Sequence, residues 1–148
     1  ENIRSLLSFQ YVNYDVMVVN DGSKDDTLQK LKDAYDLVKI DTEMDPDWKS
    51  KPVIGIYKSK NMAFSKLTVV DKLNGGKSDA LNAGVSLSTS KYVGCIDVDC
   101  LLITRSKIIL SKVKETRYCC GRCNTSSQFV YNSRRTIRRN KIAYKLVG

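Results

Sequence analysis

The run YDVMVVNDGS, residues 14–23, limits the possible folds more than any other stretch of the chain. Apolar side chains fill both parities, with Val16 and Val18 on one and Met17 and Val19 on the other. A strand with this pattern must be covered on both faces, which is the environment of a parallel sheet with helices on either side. The polar NDGS ends it, and a helix is expected next. Ser23 and Asp26 have the spacing of a capping box. Asp25 and Asp26 suit a first helical turn, and Leu28, Leu31 and Tyr35 make an apolar stripe.

The same pattern recurs twice. KLTVVDK (66–72) predicts a strand, NGG a turn, and residues 78–88 a helix with Leu81, Gly84 and Val85 inward. KYVGCI (91–96) predicts another buried strand, closed by DVDC. Around these, a short helix is expected over 2–9 with Ile3, Leu6 and Leu7 on one face. Residues 41–65 read as irregular, with VIGIY as a short edge strand. Further helices are expected over 105–113 and 136–146, and a strand over 127–132. Strands alternating with helices in this order predict an α/β sheet with right-handed crossovers. Such sheets bind ligands outside the carboxyl ends of their strands. Three places meet that condition: NDGS, NGGK and DVD.

Charge divides the chain. Residues 1–100 carry 13 basic and 15 acidic side chains, whereas residues 101–148 carry 12 basic and one acidic, Glu115. The basic character therefore belongs to the last third, which suits contact with an anionic surface or a solvated tail. The five cysteines, an odd number, come with no secretory feature and predict reduced thiols. Cys120 and Cys123 form one C-x-x-C, but a chain with no histidine and no second pair lacks the ligands of structural zinc. The opening ENIRSLLSFQ has neither a signal peptide's basic region nor its apolar core, and the missing Met predicts a fragment or a processed product. No apolar run reaches the ~20 residues of a membrane span. Arg134, Arg135, Arg138 and Arg139 are not interleaved with aromatic residues as a nucleic-acid platform would be, so no nucleic-acid partner is expected.

Each of the three places offers its own chemistry. Asp97 and Asp99 stand two apart at a strand end, where extended chain points both to one face. Two carboxylates so close favour a hard divalent cation between them, with substrate phosphates completing its shell. Asp21 can accept hydrogen bonds from a base edge or a ribose, or can serve as a turn residue. Gly75 and Gly76 let backbone N–H groups approach a ligand, and the helix start behind them attracts anions. Lys77, a cation at that helix start, is unfavourable unless an anion sits beside it, so NGGK reads as a diphosphate cradle. The alternative is a glycine turn followed by a solvated lysine. The loop is not a Walker P-loop, because Asp71 stands where the first glycine would fall, and no G-x-G-x-x-G follows the first strand.

Taken together, YDVMVVNDGSKDDTLQKL, VVDKLNGGKSDALNAGV and KYVGCIDVDC resemble the donor-binding half of family 2 glycosyltransferases. The likeness is to the processive membrane synthases of poly-N-acetylglucosamine, hyaluronan, chitin and cellulose, and it runs over about residues 1–113. The resemblance implies a Rossmann-like GT-A domain with a mostly parallel sheet flanked by helices, followed by a basic segment, 114–148. It implies a UDP-sugar donor and a sugar or polysaccharide acceptor. It also implies Mn²⁺ or Mg²⁺ as cofactor, inverting transfer, and a location on the cytoplasmic face of a membrane in the full-length protein. By resemblance Asp21 contacts the uracil, while Asp97 and Asp99 hold the ribose and the diphosphate-bound metal. Gly75, Gly76 and Lys77 lie along the diphosphate, and Asn82 assists from the same helix. The family's first strand, central to its sheet, has no counterpart ahead of Tyr14 apart from Glu1. The acceptor-side motifs that supply the catalytic base are absent as well, so donor binding without turnover is expected of this chain. The other reading is a non-catalytic nucleotide-binding module whose basic tail meets a membrane or an acidic partner.

Overall fold

The computed structural model describes residues 2–8, 13–90, 92–97, 129–132 and 142–147. The run that opened the sequence analysis forms β1 (Tyr14–Asp21). Its parallel neighbour on one side is β4 (Leu67–Lys72), in register from Val16 opposite Leu67 to Asp21 opposite Lys72. On the other side lies β7 (Ile142–Val147), parallel to β1 and also to β5 (Tyr92–Asp97). Antiparallel strands complete the margins: β3 (Val53–Ser59) beside β4, β2 (Leu37–Ile40) beside β3, and β6 (Phe129–Asn132) beside β5. The result is an open mixed sheet in the order β2-β3-β4-β1-β7-β5-β6. Its four central strands are parallel and its outer strands antiparallel, so the α/β expectation holds with less parallel pairing than foreseen.

Helices cover both faces, as the double-parity apolar run requires. Tyr14, Val16 and Val18 of β1 and Leu67 and Val69 of β4 bury on one face with Leu6 of α1 (Asn2–Leu7) and Tyr35 of α2 (Thr27–Tyr35). Val19 and Val70, one residue out of phase, pack on the other face against Ala80 of α3 (Lys77–Leu87). Val85 of α3 meets Val93 and Cys95 of β5 further along. Small residues line the inner side of α3, with Ala80, Ala83 and Gly84 all buried, so this helix lies close to the sheet.

Polar contacts fix the ends of these elements. The Tyr14 hydroxyl lies 3.0 Å from the carbonyl oxygens of both Leu6 and Leu7 and so ties the end of α1 to the start of β1. Asp36 takes a left-handed conformation (φ 48°) and its N–H donates to the Lys32 carbonyl, ending α2. The Ser59 hydroxyl donates to the Tyr35 carbonyl at 2.6 Å.

Three local expectations need correcting. Ser23 does not cap α2: the helix starts at Thr27, Asp26 is the capping residue, and the Thr27 N–H is taken by the Asp25 carboxylate at 3.1 Å. Asp25 and Asp26 therefore precede the first turn. VIGIY is not an edge strand, because β3 runs on to Ser59 and is paired on both sides, with the unforeseen β2 as the true edge. The third correction concerns the C-terminal segment, where residues 142–146 of the helix expected over 136–146 belong to β7. Six residues with Ile, Tyr and Val among them fit either period; parallel partners on both sides decide for the strand. The expected strand over 127–132 is present as β6. Within the basic segment 114–148, the described residues 129–132 and 142–147 form two strands of the sheet, β6 and β7. The helix expected over 105–113 lies outside the described residues. Among the described residues, no helix is long and apolar enough to cross a membrane.

Leu67 has no exposed surface, whereas Met62 is 84% exposed. Leu67→Ala should cost about 2–5 kcal/mol of unfolding free energy in urea titrations. Met62→Ala should change it by less than about 0.5 kcal/mol.

Candidate functional site

At the carboxyl ends of β1 and β4, two in-register strands finish with Asn20–Asp21 and Asp71–Lys72. Side chains alternate along a strand, so Asp21 and Lys72 continue the parity of Val19 and Val70 and fall on the α3 face. There the Lys72 ammonium donates to Asp21 Oδ1 at 2.7 Å and to the Leu73 carbonyl at 2.6 Å, and it pairs with Asp79 in the first turn of α3. Lys72 has no exposed side-chain surface, and Asp21 keeps only 7%. The next pair inward joins an amide to a carboxyl group: Asn20 Nδ2 donates to Asp71 Oδ1 at 2.8 Å, both residues being buried.

The two glycine loops interlock above this pair. Asp21 Oδ1 accepts the Gly75 N–H at 3.0 Å and Oδ2 accepts the Gly76 N–H at 2.7 Å. In return Asn74 Nδ2 donates to the Asp21 carbonyl at 2.9 Å. Gly22 sits at φ +72°, and a Cβ there would lie 2.7 Å from the Asn74 nitrogen. Gly76 caps α3 at φ +82°, with open space where its Cβ would point. The first glycine is thus required by close approach as well as by φ, the second by φ alone.

Asp79 also accepts the Lys51 N–H at 2.9 Å, and Asn82 Nδ2 donates to the Lys49 carbonyl at 3.0 Å. These bonds lay the 45–52 segment along α3, where the Asp45 N–H also reaches the Ser86 carbonyl at 3.0 Å.

Burial works to raise the Asp21 pKa, but the hydrogen bonds from Lys72, Gly75 and Gly76 outweigh it and hold the carboxyl below its usual value. Asp79 is lowered chiefly by Lys72. Burial pulls Lys72 down, while its two carboxylate partners pull it up by more, so its net direction is upward. All three groups are therefore charged at neutral pH.

Of the residues singled out in the sequence, Asp21, Gly75 and Gly76 come together in one hydrogen-bonded unit. The N–H groups assigned to a diphosphate donate here to the Asp21 carboxylate. Lys77 is the first residue of α3, so the anion beside this helix start is supplied from within, by Asp21 and Asp79. Asn82, one turn on, holds the 45–52 segment. Asp97 ends β5 on the same edge of the sheet, with β7 between it and β1. At ~4.8 Å per strand, its backbone stands about 10 Å across the sheet from β1. Asp99 lies outside the described residues. Among the described residues, no group of three or more His, Cys, Asp or Glu is placed to hold a metal ion. The oxygen donors of Asp97 and Asp99 are chemically suited to Mg²⁺ or Mn²⁺.

Sequence reasoning missed Lys72 and Asp79. The signal was there: Lys72 shares the parity of the buried Val70, and a lysine at an inward strand position needs a counter-ion. Asp21 stands at the matching position of the neighbouring strand, and Asp79 stands in the first turn of the next helix.

A sheet of this topology, with acidic and glycine-rich loops gathered at the ends of its parallel strands, is what the sequence motifs implied. The chain belongs to glycosyl transferase family 2, whose family model matches residues 1–147. Within that family it is similar to poly-beta-1,6-N-acetyl-D-glucosamine synthase of Staphylococcus epidermidis, with 26% identity over 102 residues, covering 69% of this chain and 18% of that protein. The synthase of the same name from Staphylococcus aureus strain COL is 23% identical over 105 residues, with the same coverage. The chain thus spans under a fifth of the length of these relatives. No solved structure gives a significant match.

Two outcomes follow from the site's geometry. Gly22→Ala should destabilise the protein by about 1–3 kcal/mol in urea titrations, through the strained φ and the contact with Asn74. Asp21→Asn should cost about 3 kcal/mol at neutral pH, because it leaves Lys72 with one charged partner fewer. The Asp21 pKa is depressed on folding, so the stability it contributes is complete above the ordinary value of 3.8 and is lost as pH falls through the lower folded value. The deficit of Asp21→Asn should therefore shrink between neutral pH and about pH 2 in paired urea titrations. A deficit that stays constant over that range would show that the carboxylate charge is not its source.

Proposed function

We propose that this chain is the donor-binding part of a glycosyltransferase that takes a UDP-sugar and delivers its glycosyl group, with inversion, to a sugar or polysaccharide acceptor. The observation that carries the reading is the gathering of Asp21, the NGGK loop and the end of β5 on one edge of the sheet, outside the carboxyl ends of its parallel strands. Asp21 would accept a hydrogen bond from the base. Lys77 and the start of α3 would lie along the diphosphate, and Asn82 would support that helix face. Asp97 and Asp99 would hold Mn²⁺ or Mg²⁺. The ion, when bound, neutralises the diphosphate and so stabilises UDP as it departs. The names of the relatives make N-acetylglucosamine the first donor sugar to test, and the motif resemblance to processive membrane synthases makes a membrane-associated setting part of the proposal.

Family membership supports glycosyl transfer as the activity class, and a carboxylate base would activate the acceptor hydroxyl. Asp41, Glu43, Asp45 and Asp47 precede α3 in the described chain, and Glu115 lies outside it.

Calorimetry with UDP should show binding that needs Mn²⁺ or Mg²⁺ and disappears in excess chelator. Asp99→Asn should remove the metal dependence while leaving the circular dichroism spectrum unchanged. Equal UDP affinity with and without chelator would remove the metal role of the two aspartates, and no UDP binding under any condition would overturn the donor reading.

A further inference from the structure

We propose that Lys72 is a positioning residue for the nucleotide, acting entirely through Asp21; this rests on the donor-binding reading above. Lys72 cannot touch a ligand itself. It has no exposed side-chain surface. An ammonium group has three N–H donors, and all three have partners here in Asp21 Oδ1, Asp79 Oδ2 and the Leu73 carbonyl. Its influence on a bound molecule must pass through one of these.

Asp21 is the partner, at the end of β1 with 7% of its side chain exposed, that the donor-binding reading places against the base. Each carboxylate oxygen has about two acceptor positions. Oδ1 has both filled, by Lys72 and by the Gly75 N–H, while Oδ2 has one filled, by the Gly76 N–H. The group cannot rotate without breaking three bonds, and it offers one acceptor position on the only oxygen with capacity to spare. That fits a single N–H donor on a base edge, such as the imide of a uracil-type ring. A base that presents an acceptor at the same place would meet a fixed negative charge.

Lys72 supplies two conditions for this. It keeps the carboxyl ionised despite burial, so Oδ2 is an acceptor and never an O–H donor. It also pins Oδ1, so the free position falls on Oδ2. Asp79 holds Lys72 from the opposite side and is itself held by the Lys51 N–H. The lysine is thereby fixed from β1, from α3 and from the loop ahead of β3.

The test uses the full chain and measures UDP affinity by calorimetry for wild type, Lys72→Met, Asp21→Asn and the double variant. Lys72→Met should weaken UDP binding by about tenfold or more, in line with loss of a charge-assisted hydrogen bond in a binding site. In the Asp21→Asn background the same change should have no further effect. Binding by Lys72→Met should also weaken as pH is lowered through a range where wild-type binding is flat, because the Asp21 carboxyl has lost its lowering partner. Additive losses in the double variant, or a flat pH profile for Lys72→Met, would overturn the inference while leaving donor binding intact. No UDP binding by the wild type would overturn both, and amide exchange at Gly75 and Gly76 would still report whether the loops are locked. Should Lys72→Met not fold, the wild type suffices. UDP should move the Asp21 carboxyl ¹³C signal and leave the Lys72 Nζ contacts unchanged, and a ligand-induced loss of the Lys72–Asp21 bond would overturn the proposal.

Discussion

A lysine ammonium with no route to water must have its charge answered inside the protein, and the layout of this molecule around its candidate site follows from how Lys72 is answered. One carboxylate comes from the neighbouring strand, one from the first turn of the next helix, and a carbonyl from the adjacent residue. Removing any one partner would leave a buried charge underpaired, which costs far more than an exposed pair contributes. The knot therefore fixes where α3 starts relative to β1 and β4. It also explains why both loops carry glycine: the Asp21 carboxylate can reach the Gly75 and Gly76 amides only if Asn74 packs on a residue without a Cβ at position 22.

That dependence shows what could be read from the sequence and what could not. The strands β1, β4 and β5 and the helix α3 were legible because each carries a long run of one pattern. Burial on both faces of β1 followed from the parity of residues 14–19 alone. Asp21, Gly75 and Gly76 were legible as residues that meet, because loops at the carboxyl ends of neighbouring parallel strands converge there. Their mutual bonding was not, because it depends on strands 51 residues apart in sequence lying side by side. Lys72 escaped notice because a strand-ending lysine is ordinarily solvated; its parity with Val70 was the clue, and the register with Asp21 supplies the partner. Short segments were misread for a different reason. The start of α2 turned on which of four polar residues faces the first free amide, and Ile142–Val147 is too short for its period to declare itself.

The place of β7 ties the basic final third to the rest of the fold. The resemblance implied a strand central to the sheet and ahead of β1, and no run before Tyr14 supplies one. In the structure the position between β1 and β5 is taken by β7, parallel to both. Without a strand there the two halves of the sheet would each present an unpaired edge in the middle of the molecule, with backbone groups that need partners. Ile142–Val147 answers those groups from both sides. The family model likewise extends through residue 147 rather than stopping where the motif resemblance fades.

Charge at the site adds a last constraint on how a nucleotide could bind. Asp21, Asp79 and Asp97 stand at the candidate edge, with Asp99 two residues beyond in sequence, and the nearby cations in the chain include Lys72, Lys77, Lys49 and Lys51. Lys72 is spent within the knot and cannot turn outward without abandoning two carboxylates. A diphosphate placed at this edge, as proposed, would meet repulsion from these carboxylates, offset in part by the neighbouring lysines and by the favourable end of α3. The Gly75 and Gly76 amides, which would otherwise soften that repulsion, already hold Asp21. Under that proposal a divalent cation held by Asp97 and Asp99 would offset the repulsion between the phosphates and the carboxylates. Under the donor-binding proposal, with the glycine amides already given to Asp21, the remaining acceptor of that carboxylate would serve the base, and the phosphates would be left to the metal and Lys77.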